Sequence, residues 1–325
     1  MGWSGGGGRG RVIAAFAVGA AVSLILTPWV GRLAVRCGAV DSPDERRTHK
    51  APTPTWGGLA IFAGFWISVL ALAWPLSLPV VALLAASIIL VAVSLVDDRR
   101  GLSPLLRLGV HLGLAAALWR FGGIRIYGFG LPLGGAGAHY VQLGDWSLPV
   151  TVLWIVLIVN AINWLDGMDG LAGGVAAIAA ITLAVLASGM GWREVGIMGA
   201  GLAGAAVGFL RYNVKPARIF MGDTGAMFLG LVLACMAVVG PLKVATSVTI
   251  LGPVLALGVP IYDVFTTMTR RMLGRKAPHM GDRQHVHHRL LGRGWSEDVV
   301  VLVLWAITGA LGVVALLALR GLGRI

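Results

Sequence analysis

The sequence predicts an all-α fold, namely a polytopic membrane bundle of about ten transmembrane helices. Of its 325 residues, 57% are hydrophobic and only 12% are charged, a composition outside the range of soluble globular proteins. The mean hydropathy is +0.85. The hydrophobic residues form runs of about 20, the length at which a helix crosses the hydrocarbon core with its backbone hydrogen bonds satisfied. We therefore expect residues 1–325 to form one integral membrane domain.

Ten hydrophobic runs define the predicted spans in chain order. They cover residues 12–35, 55–74, 79–97, 104–121, 148–165, 170–189, 194–212, 223–240, 247–269 and 299–319. The Gly-rich start, residues 1–11, is predicted to be flexible and carries no cleavable-signal pattern. Between the fourth and fifth spans, alternating residues and Gly-rich turns over 124–146 predict a small hairpin on the outer membrane surface. Glycines in the seventh span predict close helix packing. They are Gly199, Gly201, Gly204 and Gly208.

The distribution of charge predicts how the bundle is oriented. Alternating the spans places five connections on one face, and these hold most of the 26 Lys and Arg residues. The connections are 32–54, 98–107, 164–170, 211–222 and the His- and Arg-rich loop 270–298. The positive-inside rule makes this face cytoplasmic, in a cell membrane that the chain crosses many times. With helix-end carboxylates assigned inward, only Asp145 and Glu194 of the 14 acidic residues lie outside. Because acids contribute little to topology, the cytoplasmic face needs its carboxylates for another purpose.

Two other classes of protein are disfavoured. The net charge of +12 is spread over short loops that flank spans, where cations meet anionic headgroups, so we do not expect a nucleic-acid partner. Cys37 and Cys235 are isolated in the sequence, which supports neither a disulfide framework nor a Cys-ligated metal site.

A cluster of two Asn and two Asp ends the fifth predicted span and is the centre of the predicted site. Asn160, Asn163, Asp166 and Asp169 follow a long uncharged run. Ionisable groups beside such runs are usually kept where they face a water-filled cavity and take part in function. A polar turn with Asn and Asp as helix caps is the plainer explanation.

Two further carboxylate positions lie at helix ends on the same face. Asp97 and Asp98 are adjacent, and neighbouring carboxylates either shift their pKa or share a cation. A solvated charge cluster is the alternative. Asp223 begins the eighth span between two glycines. It suits either a helix cap or an oxygen ligand of Mg²⁺, an ion that also takes water and substrate phosphates.

Two loops supply cations and imidazoles. His49 and Lys50 stand in a Pro-rich loop before the second span, which either contacts lipid phosphates or delivers a cation to a phosphate-bearing substrate. His285, His287, His288 and Arg289 form the other group. A zinc site is disfavoured because no thiolate or HExxH pattern accompanies them, whereas Arg and His are suitable donors to phosphate oxygens.

Taken together, carboxylates for a divalent cation and fixed cations for phosphates predict phosphoryl transfer at the inner membrane surface. The expected substrates are a polar phosphate-bearing molecule and a lipid. The sequence contains neither a P-loop nor a kinase signature.

In these motifs the chain resembles the polyprenyl-phosphate N-acetylhexosamine-1-phosphate transferases, which are of the glycosyltransferase 4 type. The resemblance covers residues 12–320 and is nearest to the bacterial undecaprenyl-phosphate N-acetylglucosamine-1-phosphate transferases. His-Val-His-His-Arg-Leu, residues 285–290, is similar to the HIHHRL pattern of that branch, with Val286 in place of Ile. Related phospho-MurNAc-pentapeptide transferases typically carry three consecutive His there. The resemblance therefore favours an unadorned N-acetylhexosamine donor.

The resemblance implies a reaction, namely transfer of the sugar phosphate from a UDP-N-acetylhexosamine to polyprenyl phosphate with release of UMP, and it favours UDP-GlcNAc as the donor. It would be the first membrane step of a cell-envelope glycopolymer. Mg²⁺ is the implied cofactor, with Mn²⁺ as an alternative, and a homodimer is left open. The rival functions are a phospho-MurNAc-pentapeptide transferase and, from another class, a lipid or ion transporter. A transporter is disfavoured because nearly all ionisable residues lie at inner helix ends or loops, with His111 the main exception.

The resemblance also implies a role for each matching residue. Asp97 assists the lipid phosphate nucleophile and Asp98 lies close to the cation and phosphates, while Asp223 and Asn163 ligate Mg²⁺. The implied substrate contacts are Phe220 stacked on uracil, Asp169 at the uracil edge, Lys50 and Arg289 at the pyrophosphate, and His285, His287 and His288 at the sugar and phosphates. His49, Asn160 and Asp166 complete the predicted substrate-binding set.

Overall fold

The structure, a computed structural model, describes residues 6–41, 52–131, 139–240, 251–273 and 285–321. The helices in these ranges are α1 Gly6–Arg36, α2 Gly58–Leu72, α3 Leu78–Arg100, α4 Pro104–Gly122, α5 Ser147–Leu165, α6 Leu171–Gly189, α7 Arg193–Asn213, α8 Gly222–Val239, α9 Leu251–Ala256, α10 Gly258–Leu273, α11 Val286–Leu291 and α12 Glu297–Gly321. The strands are β1 Val40–Asp41, β2 Thr53–Pro54, β3 Gly128–Leu131 and β4 His139–Gln142. The predicted all-α class is confirmed.

Within the ranges that the structure describes, seven helical segments are long and apolar enough to cross a membrane, so the chain is a multi-pass membrane protein. They are Gly8–Arg36, Leu78–Arg100, Gly144–Leu165, Leu171–Gly189, Arg193–Asn213, Gly222–Val239 and Glu297–Gly321. Helix α2 is a further apolar helix of 15 residues. Helix α4 has 19 residues and fills the fourth predicted span, although it carries Arg107 and His111. The total of ten spans stays a prediction.

Three boundaries differ from those expected. Helix α1 begins at Gly6, inside the segment that we expected to be flexible. The described part of the ninth predicted span is divided at Leu257 into α9 and α10. The division follows from Pro260, which has no N–H to donate to the backbone carbonyl at the end of α9. The loop predicted over 270–298 contains the short helix α11.

The predicted surface hairpin is confirmed by β3 and β4, which pair antiparallel with Phe129 opposite Val141. The connecting residues 132–138 lie outside the described residues. The hairpin follows the C-terminal end of α4, whereas the N-terminal end of α4 lies beside Asp97 and Asp223. It therefore lies at the opposite end of the bundle from the acidic residues. We call the end that carries Asp97 and Asp223 the polar end.

Glycines bring α7 close to its neighbours, as the sequence predicted. A Cβ added at Gly204 would overlap the carbonyl oxygen of Phe16 in α1, and one at Gly208 would overlap that of Ala20. A Cβ at Gly199 would lie 2.8 Å from the carbonyl oxygen of Ala180 in α6, and one at Gly201 would overlap the hydroxyl of Ser68 in α2. Small residues thus let the backbones of adjacent helices approach closely inside the bundle.

We expect Gly204→Ala to lower the free energy of unfolding by about 1–3 kcal/mol, because the added methyl meets backbone that can move only if α1 and α7 separate. Thermal unfolding in detergent measures the effect. Gly309→Ala in α12 is the matched control, since nothing lies within 4 Å of the added Cβ. Equal melting temperatures for the two variants would show that the α1–α7 contact tolerates the extra volume.

Candidate active site

The end of α3 is bonded directly to the start of α8 through Asp98. The Oδ1 atom of Asp98 accepts a hydrogen bond from the backbone N–H of Asp223 at 2.8 Å. Its Oδ2 atom accepts from the Oγ1 hydroxyl of Thr224 at 2.7 Å. Gly222 has φ +68°, and a Cβ there would lie 2.6 Å from the Asp98 carboxylate. Asp98 therefore caps α8 across the bundle, in the way that an acid stabilises a helix N-terminus.

Arg107 lies between the other two carboxylates of this cluster. Its Nη1 atom is 2.9 Å from Oδ2 of Asp223 and 3.4 Å from Oδ2 of Asp97. The Oδ1 atom of Asp97 accepts a hydrogen bond from the backbone N–H of Leu102 at 2.6 Å, so the turn between α3 and α4 fixes this carboxylate. Two carboxylates from distant parts of the chain thus face one cation.

The turn between α5 and α6 carries Asp166 and Asp169 to the same region. Burial, followed by repulsion from Asp223, Asp98 and Asp169, raises the pKa of Asp166 to about 8. The Oδ2 atom of Asp169 accepts a hydrogen bond from the backbone N–H of Ala217 at 2.9 Å. The carboxylates of the predicted acidic cluster therefore lie close enough to repel one another, and a divalent cation would reduce that repulsion.

Two hydrogen-bonded connections hold the segment before α8 in place. Asn213 accepts a hydrogen bond from the backbone N–H of Gly170 at 3.1 Å and donates one to the carbonyl of Ile219 at 3.0 Å. The backbone N–H of Phe220 donates to the carbonyl of Pro54 at 2.9 Å. Phe220 is half-buried on this segment, between the α5–α6 turn and β2.

The histidine motif is anchored by Asp263, which is fully buried in α10. Its Oδ1 atom accepts a hydrogen bond from the backbone N–H of Val286 at 2.6 Å, and its Oδ2 atom lies 2.8 Å from Nδ1 of His285. The ring of His285 also lies 5.4 Å from that of Trp164 and stacks at 5.9 Å on that of His287. These contacts orient the start of α11 toward the end of α5.

His287 links the histidine motif to the acidic turn. A Cβ added at Gly167 would lie 2.7 Å from Nε2 of His287, so the ring stands directly over the Asp166–Asp169 turn. The side chain is 1% exposed, and among the described residues neither ring nitrogen has a hydrogen-bond partner. Buried polar atoms are normally satisfied. A bound substrate with phosphate or hydroxyl oxygens would satisfy them.

Burial, together with the charges of His288 and His285, lowers the pKa of His287 to about 3, and the charge of Asp263 offsets part of this effect. The unfolded side chain titrates near pH 6.5. Between these values only the unfolded state binds the proton, so acidification lowers the free energy of unfolding. Between pH 6.5 and pH 5, His287 lowers the free energy of unfolding by about 2 kcal/mol.

We expect His287→Gln to remove this loss, because Gln does not titrate. Thermal unfolding of both proteins at pH 7 and pH 5 checks the prediction, with the wild type losing more stability on acidification. The raised pKa of Asp166 acts in the opposite direction in both proteins. The difference between the two proteins in the stability lost from pH 7 to pH 5 therefore reports His287 alone. Identical pH dependence of the two proteins would contradict the assignment.

The remaining predicted residues differ in how directly they join this cluster. Asn163 is half-buried in the last turns of α5. The side-chain amide of Asn160 donates to the carbonyl of Val156 at 2.7 Å and lies 3.5 Å from Nδ1 of His111, one turn further from the polar end. His288 packs on His287 with 4.3 Å between ring centroids, and Arg289 is half-buried on α11. His49 and Lys50 lie outside the described residues.

Three residues of the site were not singled out in the sequence. Arg107 stands inside an apolar helix, where a single cation also serves topology, so its two carboxylate partners were not visible. Asp263 lies 22 positions from His285, and only the tertiary fold pairs them. Asn213 could have been identified from the sequence. It ends a membrane helix, where a buried Asn side chain needs hydrogen-bond partners.

The donors at the polar end fit a hard divalent cation that is only partly coordinated by protein. Among the described residues, no group of three His, Cys, Asp or Glu side chains is arranged as a complete metal site. Mg²⁺ does not need one, because it commonly uses one or two carboxylates together with water and substrate phosphates. Asp223 and Asp97 already face one positive charge, that of Arg107.

Comparisons with known proteins agree with the geometry. The model of glycosyl transferase family 4 matches residues 80–241. The chain is 36% identical over 297 residues to the "Probable undecaprenyl-phosphate N-acetylglucosaminyl 1-phosphate transferase" of Bacillus subtilis, covering 91% of this chain and 82% of that protein. It is 33% identical over 318 residues to the decaprenyl-phosphate N-acetylglucosaminephosphotransferase of Mycolicibacterium smegmatis, covering 89% and 78%. It is 34% identical over 313 residues to the phospho-N-acetylmuramoyl-pentapeptide-transferase of Moorella thermoacetica, covering 89% and 92%.

The multi-pass bundle, its polar end and these relatives define a membrane-embedded transferase. The chain belongs to the polyprenyl-phosphate N-acetylhexosamine-1-phosphate transferases, that is, to glycosyl transferase family 4. The resemblance seen in the sequence motifs is thereby confirmed.

Proposed function

We propose that this protein transfers N-acetylglucosamine-1-phosphate from UDP-GlcNAc to undecaprenyl phosphate or a related polyprenyl phosphate and releases UMP. The observation that carries the proposal is the convergence of Asp97 and Asp223 on Arg107 at one end of a membrane bundle, where Asp98 is bonded to the start of α8. The activities after which two relatives are named, from Bacillus subtilis and Mycolicibacterium smegmatis, support the same transfer. In it, an oxygen of the lipid phosphate bonds to the sugar-linked phosphorus, and the bond from that phosphorus to the oxygen retained by UMP breaks.

Asp97 and Arg107 would position the lipid phosphate. At neutral pH a phosphate monoester already carries most of its negative charge, so the nucleophile gains little from a base. Asp97 is held by the backbone of Leu102 and faces Arg107 at 3.4 Å. The guanidinium would draw the incoming phosphate toward the reacting phosphorus, while Asp97 keeps the guanidinium in place.

Mg²⁺ would be held by Asp223 and Asn163, with Mn²⁺ as an alternative. The fit rests on the half-buried carboxylate of Asp223 beside Asp97 and on the repulsion that surrounds Asp166. The ion would neutralise the charge that develops on the diphosphate during transfer. Asp98 would lie close to the metal and would hold the start of α8, and hence Asp223, in position.

The donor would lie between the α5–α6 turn, the segment before α8 and α11. Phe220 would stack on uracil and Asp169 would meet its edge, both on segments tied together by Asn213. The sugar and phosphates would meet the imidazoles of His285, His287 and His288, and Arg289 would bind the pyrophosphate. His287 has buried ring nitrogens that suit this role. Lys50, His49, Asn160 and Asp166 remain predicted substrate contacts.

The protein would lie in the plasma membrane with its polar end facing the cytoplasm. UDP-sugars are made in the cytoplasm. The connections at the polar end carry most of the Lys and Arg residues, in agreement with the positive-inside rule. A homodimer stays a prediction.

Phospho-MurNAc-pentapeptide transfer is the second candidate function, favoured by the 34% identity to the Moorella thermoacetica protein. Residues 285–290 favour the smaller donor, an unadorned UDP-N-acetylhexosamine, because Val286 interrupts the run of His residues. Transport is a weaker alternative, since the acidic groups gather at the polar end and His111 is the main ionisable group deeper in the bundle.

A donor panel with the purified protein tests the proposal. UDP-GlcNAc, UDP-GalNAc and UDP-MurNAc-pentapeptide are each supplied with undecaprenyl phosphate and Mg²⁺, and the lipid product is measured by mass. We expect the product mass of undecaprenyl-pyrophosphoryl-GlcNAc together with UMP. Product only with UDP-MurNAc-pentapeptide would establish the second candidate, and no lipid-linked product with any donor would refute both.

A further inference from the structure

A cavity of about 570 Å³ lies beside α1 at the polar end, apart from the acidic cluster. One wall is a stripe of α1, and the other walls come from β2, the C-terminal end of α7 and the segment before α8. None of the residues that line it has been given a role in the transfer reaction. Its size falls within the range of small-molecule sites.

The cavity has an elongated apolar wall that runs along a membrane-spanning helix. Thr27, Gly31 and Val35 lie on one face of α1, at intervals of four residues, and they span about 12 Å along the helix axis. Gly31 contributes no side chain to this wall, and a Cβ there would reach ordinary van der Waals contact with Ile219 at 3.5 Å and Pro54 at 3.9 Å. This shape suits a single hydrocarbon chain laid along α1.

The same stretch of α1 faces outward from the bundle. Trp29 is 63% exposed and Val35 is 57% exposed, and both belong to a helix long and apolar enough to cross the membrane. The guanidinium of Arg32 lies 5.0 Å from the ring of Trp29. Aromatic residues beside cations are typical of the membrane interface. The cavity is therefore in reach of lipid from the side.

Three arginines line the cavity, namely Arg32, Arg36 and Arg218. All three are exposed, and no carboxylate of the described residues lines the cavity with them. Arg32 and Arg36 are four residues apart on one helix, a spacing at which like charges repel. An anion placed between the three guanidinium groups would relieve that repulsion, and Arg binds phosphate oxygens in a bidentate manner.

We propose that this cavity binds an anionic membrane phospholipid. The phosphate of the lipid lies among Arg32, Arg36 and Arg218, and one acyl chain follows the stripe of α1 from Val35 toward Thr27. A zwitterionic lipid fits less well, because its own cation would face three guanidinium groups. Charge complementarity and the adjoining apolar wall together select this occupant over a soluble phosphate.

The bound lipid would adjoin the segment that we assign to the donor. Ile219 lines the cavity and precedes Phe220, whose backbone N–H donates to the carbonyl of Pro54, another lining residue. Filling the cavity would therefore hold β2 and the Phe220 segment together. This consequence rests on the proposed function, whereas phospholipid binding itself does not.

The test is a binding measurement that needs no turnover. Short-chain phosphatidylglycerol and phosphatidylcholine of equal chain length are titrated separately into the detergent-purified protein, and bound lipid is counted by native mass spectrometry. We expect one tightly bound phosphatidylglycerol, with affinity falling about fivefold for each arginine changed among Arg32→Gln, Arg36→Gln and Arg218→Gln. Arg211→Gln is the matched control, because Arg211 is exposed at the same end of α7 and does not line the cavity.

Equal affinity for the two lipids would overturn the proposal, as would unchanged binding by a triple variant whose melting temperature matches the wild type. Undecaprenyl phosphate is added as a competitor to distinguish the two sources of a lipid phosphate. If it displaces phosphatidylglycerol and binds more tightly, the cavity belongs to the acceptor and the phospholipid assignment is wrong. Failure of sugar transfer, in contrast, would leave these binding results unaffected.

Discussion

Asp223→Asn is expected to reduce sugar-phosphate transfer about a thousandfold while leaving the protein folded. The substitution removes the negative charge that we assign to the metal, and a metal that neutralises transition-state charge contributes several kcal/mol, with each ~1.4 kcal/mol equal to a tenfold change in rate. The fold should survive because the bond that joins α3 to α8 uses the backbone N–H of Asp223, which Asn keeps. UMP release at saturating Mg²⁺ measures the effect.

Asp145→Asn is the matched control for this variant. Asp145 is an exposed acid before α5, at the end of the bundle opposite to the polar end, so its loss of charge should leave transfer unchanged. The melting temperatures of both variants establish that they are folded. If Asp223→Asn turns over at a rate near that of the wild type with Mg²⁺, Asp223 is not a metal ligand.

Arg107→Gln is expected to lower the turnover number about a hundredfold and, at the same time, to lower the Mg²⁺ concentration needed for half-maximal activity. The guanidinium lies 2.9 Å from Asp223 and 3.4 Å from Asp97. It therefore competes with a second cation for the same carboxylates, and removing it makes them more available. The turnover falls because a fixed cation that orients a phosphate contributes several kcal/mol to such transfers.

Arg107→Lys separates this role from a purely structural one. Lys keeps the positive charge but has no planar fork for bidentate contact, so we expect partial recovery of turnover. Steady-state kinetics over a range of Mg²⁺ concentrations gives both quantities for each variant. A rise in the Mg²⁺ requirement of Arg107→Gln would contradict competition between Arg107 and the metal.

The membrane fold could be predicted from the sequence because each span must satisfy its backbone inside about 20 apolar residues. The hairpin of β3 and β4 was also visible, since alternating residues and turn glycines mark it locally. The break between α9 and α10 had a readable signal in Pro260, which we nevertheless included within one span. Hydropathy averages over a window and does not register a single missing N–H donor.

The site was predictable as a set of residue types but not as a set of contacts. Acids at helix ends beside apolar runs are conspicuous, which is why Asp97, Asp98 and Asp223 were identified. The cap that Asp98 forms on α8 depends on how α3 and α8 lie side by side, 125 residues apart in the chain. The stacking of His287 over Gly167 likewise follows from tertiary packing, and no local pattern encodes it.

In the proposed mechanism Asp223 and Asn163, which come from separate connections of the bundle, hold one metal ion that is also bound to the donor diphosphate. The most direct measurement replaces Mg²⁺ by Mn²⁺ in the purified protein and records phosphorus hyperfine coupling by electron paramagnetic resonance with UDP-GlcNAc present. If Asp223 ligates the metal, we expect one Mn²⁺ per chain, coupled to donor phosphorus and lost in Asp223→Asn. Mn²⁺ that binds equally well to Asp223→Asn, or that shows no coupling to the donor, would contradict it.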